Sequence, residues 1–217
     1  MASYVENAPE AVLAAAKEML ALGLVEGTAG NISARQEDGN ICITPSSIDY
    51  REMRLEDLVV IDPAGEVVEG TRGPSSEKLL HLACYSAFDD IASVIHSHPV
   101  YATMFAVAHR PIPATIDEFA VYCGGDVRVT EYAMSGTDDV GQNAVKALQG
   151  RGAALIANHG MVAVGPSPSK VLHITALVER NAQIIWGAEQ LGKVHHLPED
   201  VQTKFEGIYT SWMRLHA

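Results

Sequence analysis

The stretch SVIHSHPVYATMFAV, residues 93–107, places His96 and His98 with a single residue between them in a run that is otherwise apolar or small. Val94, Ile95 and the following Pro99 read as a short buried strand, where alternate side chains share a face. Both imidazoles therefore point to one spot. A lone histidine in such a run would be a core residue held by a hydrogen bond, but two nitrogen donors on one rigid strand are half of a metal site. The strand lies between two helical patterns, EKLLHLACYSAF from about Ser75 onward and VYATMFAVAH after Pro99, so helix and strand alternate here.

Outward from this centre, Asn7 with Pro9 behind it opens a helix through PEAVLAAAKEMLALGL that stops near Gly23. ICIT, LVVID and EVVEG read as short strands, the last two separated by the turn residues Pro63, Ala64 and Gly65. VRVTEY reads as extended, DVGQNAVKALQ as helical, ALIANHGMVAVG as two strands around a tight turn at Gly160, and residues 169–191 as a long closing helix. Because the early strands are neighbours joined by short turns, the expected class is α/β with a largely antiparallel sheet covered by helices, not a doubly wound sheet.

At 217 residues the chain suits one domain, residues 1–217, with no internal repeat or low-complexity tract. A net charge of −12 without a lysine or arginine cluster argues against nucleic acid and against an anionic membrane surface. Any phosphate must be held locally. Cys42, Cys84 and Cys123 are odd in number, far apart and set in apolar surroundings, the pattern of reduced core thiols. No leader pattern and no long uncharged apolar run appears, so the expected location is the cytoplasm.

His159 in LIANHGMVAV and Glu77 in GPSSEKLLH are further candidate ligands. A carboxylate at a helix N-terminus also gains about 0.3–1 kcal/mol from the helix dipole without any function. Three histidines with one carboxylate nevertheless form a donor set that zinc takes at catalytic sites. GTAGNISAR offers Gly27, Thr28, Gly30 and Asn31 in a loop that a ligand can approach closely, and TPSS and GPSSE add the hydroxyls of Ser46, Ser47, Ser75 and Ser76. Serines before a helix are commonly caps, yet free amides with flanking hydroxyls at a helix N-terminus also bind phosphate without any lysine. His81, His109 and His173 fall on or at the ends of helices, and His195 and His196 in a polar tail, where they carry no assigned role.

GTAGNIS, ITPSS, PSSE, VIHSHP and NHGMVAVG, in this order and spacing, resemble the class II aldolase/adducin head family, most closely its L-fuculose-phosphate aldolase branch, over about residues 8–190. The resemblance implies a three-layer α/β/α fold around a central, mostly antiparallel sheet, and a homotetramer with active sites at subunit interfaces. It implies one zinc ion per subunit on His96, His98, His159 and Glu77, with Glu77 also the acid/base. It places Thr28, Asn31, Ser46, Ser75 and Ser76 around the phosphate of a sugar substrate, with Ser47 at the position of a family glycine.

The implied reaction is cleavage of a ketose 1-phosphate to dihydroxyacetone phosphate and an aldehyde. Where that branch carries a tyrosine ahead of its Gly-Gly pair, this chain reads IPATIDEFAVYCGG, with Asp117 and Glu118 nearby and Tyr122 further on. Glu118 and the tail residue Tyr209 are the candidates for the second acid/base. Alternatives on the same scaffold are a ribulose-phosphate 4-epimerase, a methylthioribulose-phosphate dehydratase and a sugar-acid phosphate decarboxylase. A non-catalytic adducin-type head lacks the metal histidines that are present here.

Overall fold

The computed structural model describes residues 2–216. Eight strands form one sheet: β1 (Asn31–Arg35), β2 (Ile41–Ile43), β3 (Val59–Ile61), β4 (Val67–Glu69), β5 (Ser93–Ser97), β6 (Arg128–Val129), β7 (Ala153–Ile156) and β8 (Gly160–Gly165). Their spatial order is β4-β3-β2-β1-β5-β8-β7-β6. All neighbours are antiparallel except β6 and β7, which are joined by the crossover helix α5 (Asp138–Leu148).

Period-two alternation divides the buried strands between two apolar cores. Ile32, Ala34, Ile95, Leu155, Met161 and Ala163 face a core shared with α1 (Ala8–Ala21), α3 (Val100–Val107), α4 (Asp117–Cys123) and α6 (Pro168–Leu191). Val94, Ala154, Ile156, Val162 and Val164 face the other, formed with α2 (Lys78–Ala87), α5 and α7 (Glu199–His216). Each fully buried isoleucine or valine contributes roughly 1.5–3 kcal/mol. Helices on both faces of a mostly antiparallel sheet make the three-layer α/β/α architecture expected of the chain.

Four segments depart from the pattern reading. NISAR, taken as part of a loop, is a central strand buried on both faces, with Asn31, Ser33 and Arg35 forming a polar row toward α2. Residues 117–123 are helical, and only Arg128 and Val129 of VRVTEY pair in the sheet. From Glu199 onward the tail is helix α7, which seats Tyr209 and Met213 in the second core. Among the described residues no helix is long and apolar enough to cross a membrane. Cys42, Cys84 and Cys123 are buried and free, and burial pushes the first two thiols up to about 12.

Candidate metal centre

The middle of the sheet supplies three imidazoles. His96 is the penultimate residue of β5, on the α2 side, His98 follows the strand in the turn into α3, and His159 sits in the turn between β7 and β8. Their ring centroids lie 4.6–4.8 Å apart. Glu77, at the start of α2, closes the group: its Oε2 is 3.2 Å from His96 Nε2 and its Oε1 3.5 Å from His159 Nε2. One donor atom from each of the four residues lies within 4.8 Å of all the others, so the four are positioned to hold a metal ion.

The backbone around these ligands is specialised. Gly160 must be glycine, because a Cβ there would stand 2.5 Å from the Ser97 carbonyl oxygen and 2.6 Å from the His98 ring. Asn158, beside His159, has φ of 56°, and its Oδ1 accepts from His109 Nε2 at 2.6 Å. On the far side of His98, Glu179 of α6 accepts from the backbone amides of Tyr101 and Ala102 and fixes the first turn of α3.

Each first contact has support behind it. His96 Nδ1 donates to the Met161 carbonyl at 2.8 Å, so Nε2 is the nitrogen directed at the cluster, the orientation a metal ligand requires. Glu77 accepts from Asn31 Nδ2 at Oε2 and from Ser135 Oγ at Oε1, both at 2.9 Å. Asn31 in turn accepts from His81 Nε2 through Oδ1. Ser135 and His81 had no assigned role in the sequence. Ser135 lies in an exposed loop far along the chain, and only tertiary folding reveals it.

Burial works to raise the Glu77 carboxyl, but the His96 and Asn31 hydrogen bonds and the His159 charge outweigh it and hold the group well below the usual carboxylate range. A carboxyl so held is a ligand or an anion, not a base near neutrality, unless it first leaves these partners. Burial, reinforced by the like charge of its neighbours, lowers His98 to about 4, and burial also lowers His159.

Fully enclosed, His81 is pushed down by burial to about 3. The unfolded chain takes up this proton near 6.5 and the folded one far lower, so the folded state keeps its full margin above pH 6.5 and loses it as pH falls below that value. At pH 5.5 the loss from this group is about 1.4 kcal/mol. Urea unfolding at pH 7.5 and 5.5 should show the acid-induced loss shrinking by that amount in His81→Gln.

Beside the metal ligands lies a cavity of about 260 Å³ lined by Thr28, Asn31, Ser46, Ser47, Ser75 and Ser76, together with Glu77 and His98. The loops that carry these hydroxyls are stitched together, since the Ser46 amide donates to the Gly73 carbonyl, the Ser75 amide to the Thr44 carbonyl, and Ser46 Oγ to the Pro74 carbonyl. Gly30 has φ of 76°, and a Cβ on it would meet the His96 carbonyl at 2.8 Å. Ser47 holds φ of 59°, a left-handed conformation that glycine adopts freely and serine at some cost.

The two candidates for a second acid/base are not at this cluster within the chain. Tyr209, expected in a tail able to fold over the site, is 6% exposed and packs against Gly124 and the Asp90–Ile91 entry to β5, whereas His96 lies at the exit. Burial of its apolar α7 face holds it there. Glu118 is exposed on the first turn of α4, 4.0 Å from Arg180, and Asp117 is exposed beside it. Tyr122 is a packing residue, edge-on to His173 and Trp212.

A strand-centred three-histidine, one-carboxylate cluster beside a hydroxyl-lined cavity, on this sheet order, defines a class: the chain belongs to the class II aldolase and adducin N-terminal domain family, whose sequence profile matches residues 10–186. Class II aldolases are metal-dependent. A 5-methylthioribulose-1-phosphate/5-deoxyribulose-1-phosphate aldolase of Rhodospirillum rubrum is 38% identical over 186 residues, 86% of this chain and 83% of that protein. A 5-deoxy-D-ribulose 1-phosphate aldolase of Bacillus thuringiensis is 36% identical over 91% of this chain and 95% of its own length. An L-fuculose phosphate aldolase of Escherichia coli is 38% identical over 77% of each chain. Among solved structures, an L-fuculose 1-phosphate aldolase superposes with a TM-score of 0.88 at 37% identity, covering 97% of this chain and 98% of that one.

Proposed function

We propose that residues 1–217 form one catalytic domain, a cytoplasmic zinc-dependent aldolase that cleaves a ketose 1-phosphate to dihydroxyacetone phosphate and an aldehyde. The observation that carries this reading is the junction of the four-residue metal cluster with the hydroxyl-lined cavity, since Glu77 and His98 belong to both. The donor set of three imidazoles and one carboxylate suits zinc. When bound, zinc supplies positive charge that stabilises the negative charge developing on substrate oxygens as the carbon–carbon bond breaks.

The remaining work falls to the chain. Thr28, Asn31, Ser46, Ser47, Ser75 and Ser76 receive the phosphate through amides and hydroxyls. In the cleavage the C3–C4 bond breaks, its electron pair passes to the ketone half, the C4 hydroxyl proton goes to a base, and C3 receives a proton. Once substrate draws Glu77 away from His96, its carboxyl rises toward neutrality, takes a proton from solvent and delivers it to C3. Glu118, exposed on α4 and presented by a neighbouring subunit of a homotetramer, takes the C4 hydroxyl proton. The names of two similar relatives favour a 5-deoxypentulose 1-phosphate over fuculose 1-phosphate as the ketose.

Purified protein with zinc should therefore release dihydroxyacetone phosphate and an aldehyde in equal amounts from one of 5-deoxyribulose, 5-methylthioribulose or fuculose 1-phosphate, read by mass. Loss of water without carbon–carbon cleavage, or epimerisation alone, would overturn the aldolase reading. Light scattering should show a tetramer, and full activity of a monomer would exclude an interface site. Glu118→Gln and Tyr209→Phe should each keep their zinc. Glu118→Gln should lower kcat/KM tenfold or more, about 1.4 kcal/mol, and an unaffected variant would place the C4 proton acceptor elsewhere.

A further inference from the structure

Glu77, His81 and Tyr85 stand four residues apart on one face of the α2 segment, and Asn31 and Ser33 stand two apart on the facing side of β1. Four helical residues advance about 6.0 Å and two strand residues about 6.6 Å, so the two rows interdigitate. They meet at every step: Tyr85 OH to Ser33 Oγ at 2.8 Å, Ser33 Oγ to His81 Nδ1 at 2.6 Å, His81 Nε2 to Asn31 Oδ1 at 2.5 Å, and Asn31 Nδ2 to Glu77 Oε2 at 2.9 Å.

Chemistry allows this chain only one direction. A carboxylate only accepts, so Asn31 must present its NH2 to Glu77 and its oxygen to His81. That oxygen needs a donor, which places the ring proton on Nε2. The bare Nδ1 then accepts the Ser33 hydroxyl proton, and Ser33 accepts from the Tyr85 phenol. Reversing any link would set two acceptors against each other in a buried site, a cost of about 1–3 kcal/mol.

We propose that His81 is a positioning residue: as the neutral Nε2–H tautomer it locks the Asn31 amide so that Nδ2 faces the Glu77 carboxylate. Without that donor the amide can rotate and turn its oxygen on Glu77. Asn31 also pairs with His96 across β1 and β5, so His81 acts on the cluster through Asn31. The kinetic consequence rests on the aldolase reading; the tautomer does not.

The test labels histidine with 15N in the intact zinc-loaded protein and reads long-range proton–nitrogen correlations, His81 being assigned by its loss in His81→Gln. One tautomer, protonated at Nε2 and bare at Nδ1, should persist from pH 8 to pH 5.5. A proton on Nδ1, or exchange between tautomers, overturns the proposal.

His81→Leu, which removes the donor at similar volume, should lower kcat by about tenfold or more while zinc content and KM stay within about threefold. His81→Gln carries an N–H near the Nε2 position and should restore kcat to within about threefold of the parent. A residue that serves packing alone predicts the opposite order, with leucine as good as glutamine. Should the leucine variant not fold, His81→Asn replaces it, because its shorter amide reaches Ser33 but not Asn31, and the same comparison with glutamine decides. If the unaltered protein cleaves no ketose phosphate, the aldolase reading fails and the tautomer alone decides this one.

Discussion

His98→Ala yields a folded protein without stoichiometric metal, and its turnover falls by more than the roughly 10–100-fold seen when only a residue behind a metal ligand is lost. His98 is the cleanest of the three histidines to remove. His96 is fully buried and donates to the Met161 carbonyl, so its loss would orphan a buried acceptor and mix instability with metal loss. His159 sits in a turn whose neighbour Asn158 has positive φ, so its removal perturbs backbone as well. His98 is partly exposed, and its close polar contact is to His96 Nε2 at 2.7 Å. Elemental analysis of the purified variant decides the matter, since one metal ion per chain with His98 gone would overturn the ligand assignment.

Glu77→Gln should retain zinc through the three histidines while kcat falls by about 10²–10⁴, the span attributed to a positioned general acid or base. The substitution is isosteric. The amide oxygen can keep the bond from Asn31 and its NH2 can face Ser135 Oγ, so the loop contacts survive. What vanishes is the ability to carry a proton. A variant with parental kcat would reduce Glu77 to a ligand and helix-dipole carboxylate. Parallel loss of zinc and turnover would instead assign it chiefly to metal binding.

The metal cluster was largely legible in the primary sequence, and the reason is spacing. His96 and His98 read as sharing one face because strand side chains alternate, and His98, one residue beyond the end of β5, still joins the cluster. His159 precedes a glycine demanded by close approach to the Ser97 carbonyl, and Glu77 opens a helix. The hydroxyls of Ser46, Ser47, Ser75 and Ser76 were legible as loop and cap chemistry. Strand β1 was harder: GTAGNISAR reads as a ligand-binding loop because Asn31, Ser33 and Arg35 interrupt the apolar Ile32 and Ala34, and only α2 supplies the partners that let this polar row be buried in a strand. His81 was passed over for the same cause, since a helix histidine shows no sign of the strand asparagine it will meet. Tyr209 read as a free tail residue because Gly207 and the flanking polar residues mask an apolar helix face that has a core to join only after folding.

By itself the sequence determined the α/β class and the mostly antiparallel order, and it singled out the four residues of the cluster and the hydroxyls beside them as candidates, all from local periodicity, turn chemistry and residue type. Only the tertiary structure decided that Ser135 bonds Glu77, that a helix row and a strand row interlock from Tyr85 to Glu77, and that Tyr209 is packed at the opposite end of β5 from His96. Those facts depend on contacts between residues tens of positions apart. Their partners are chosen by how the two cores close over the sheet, which no single stretch of chain encodes.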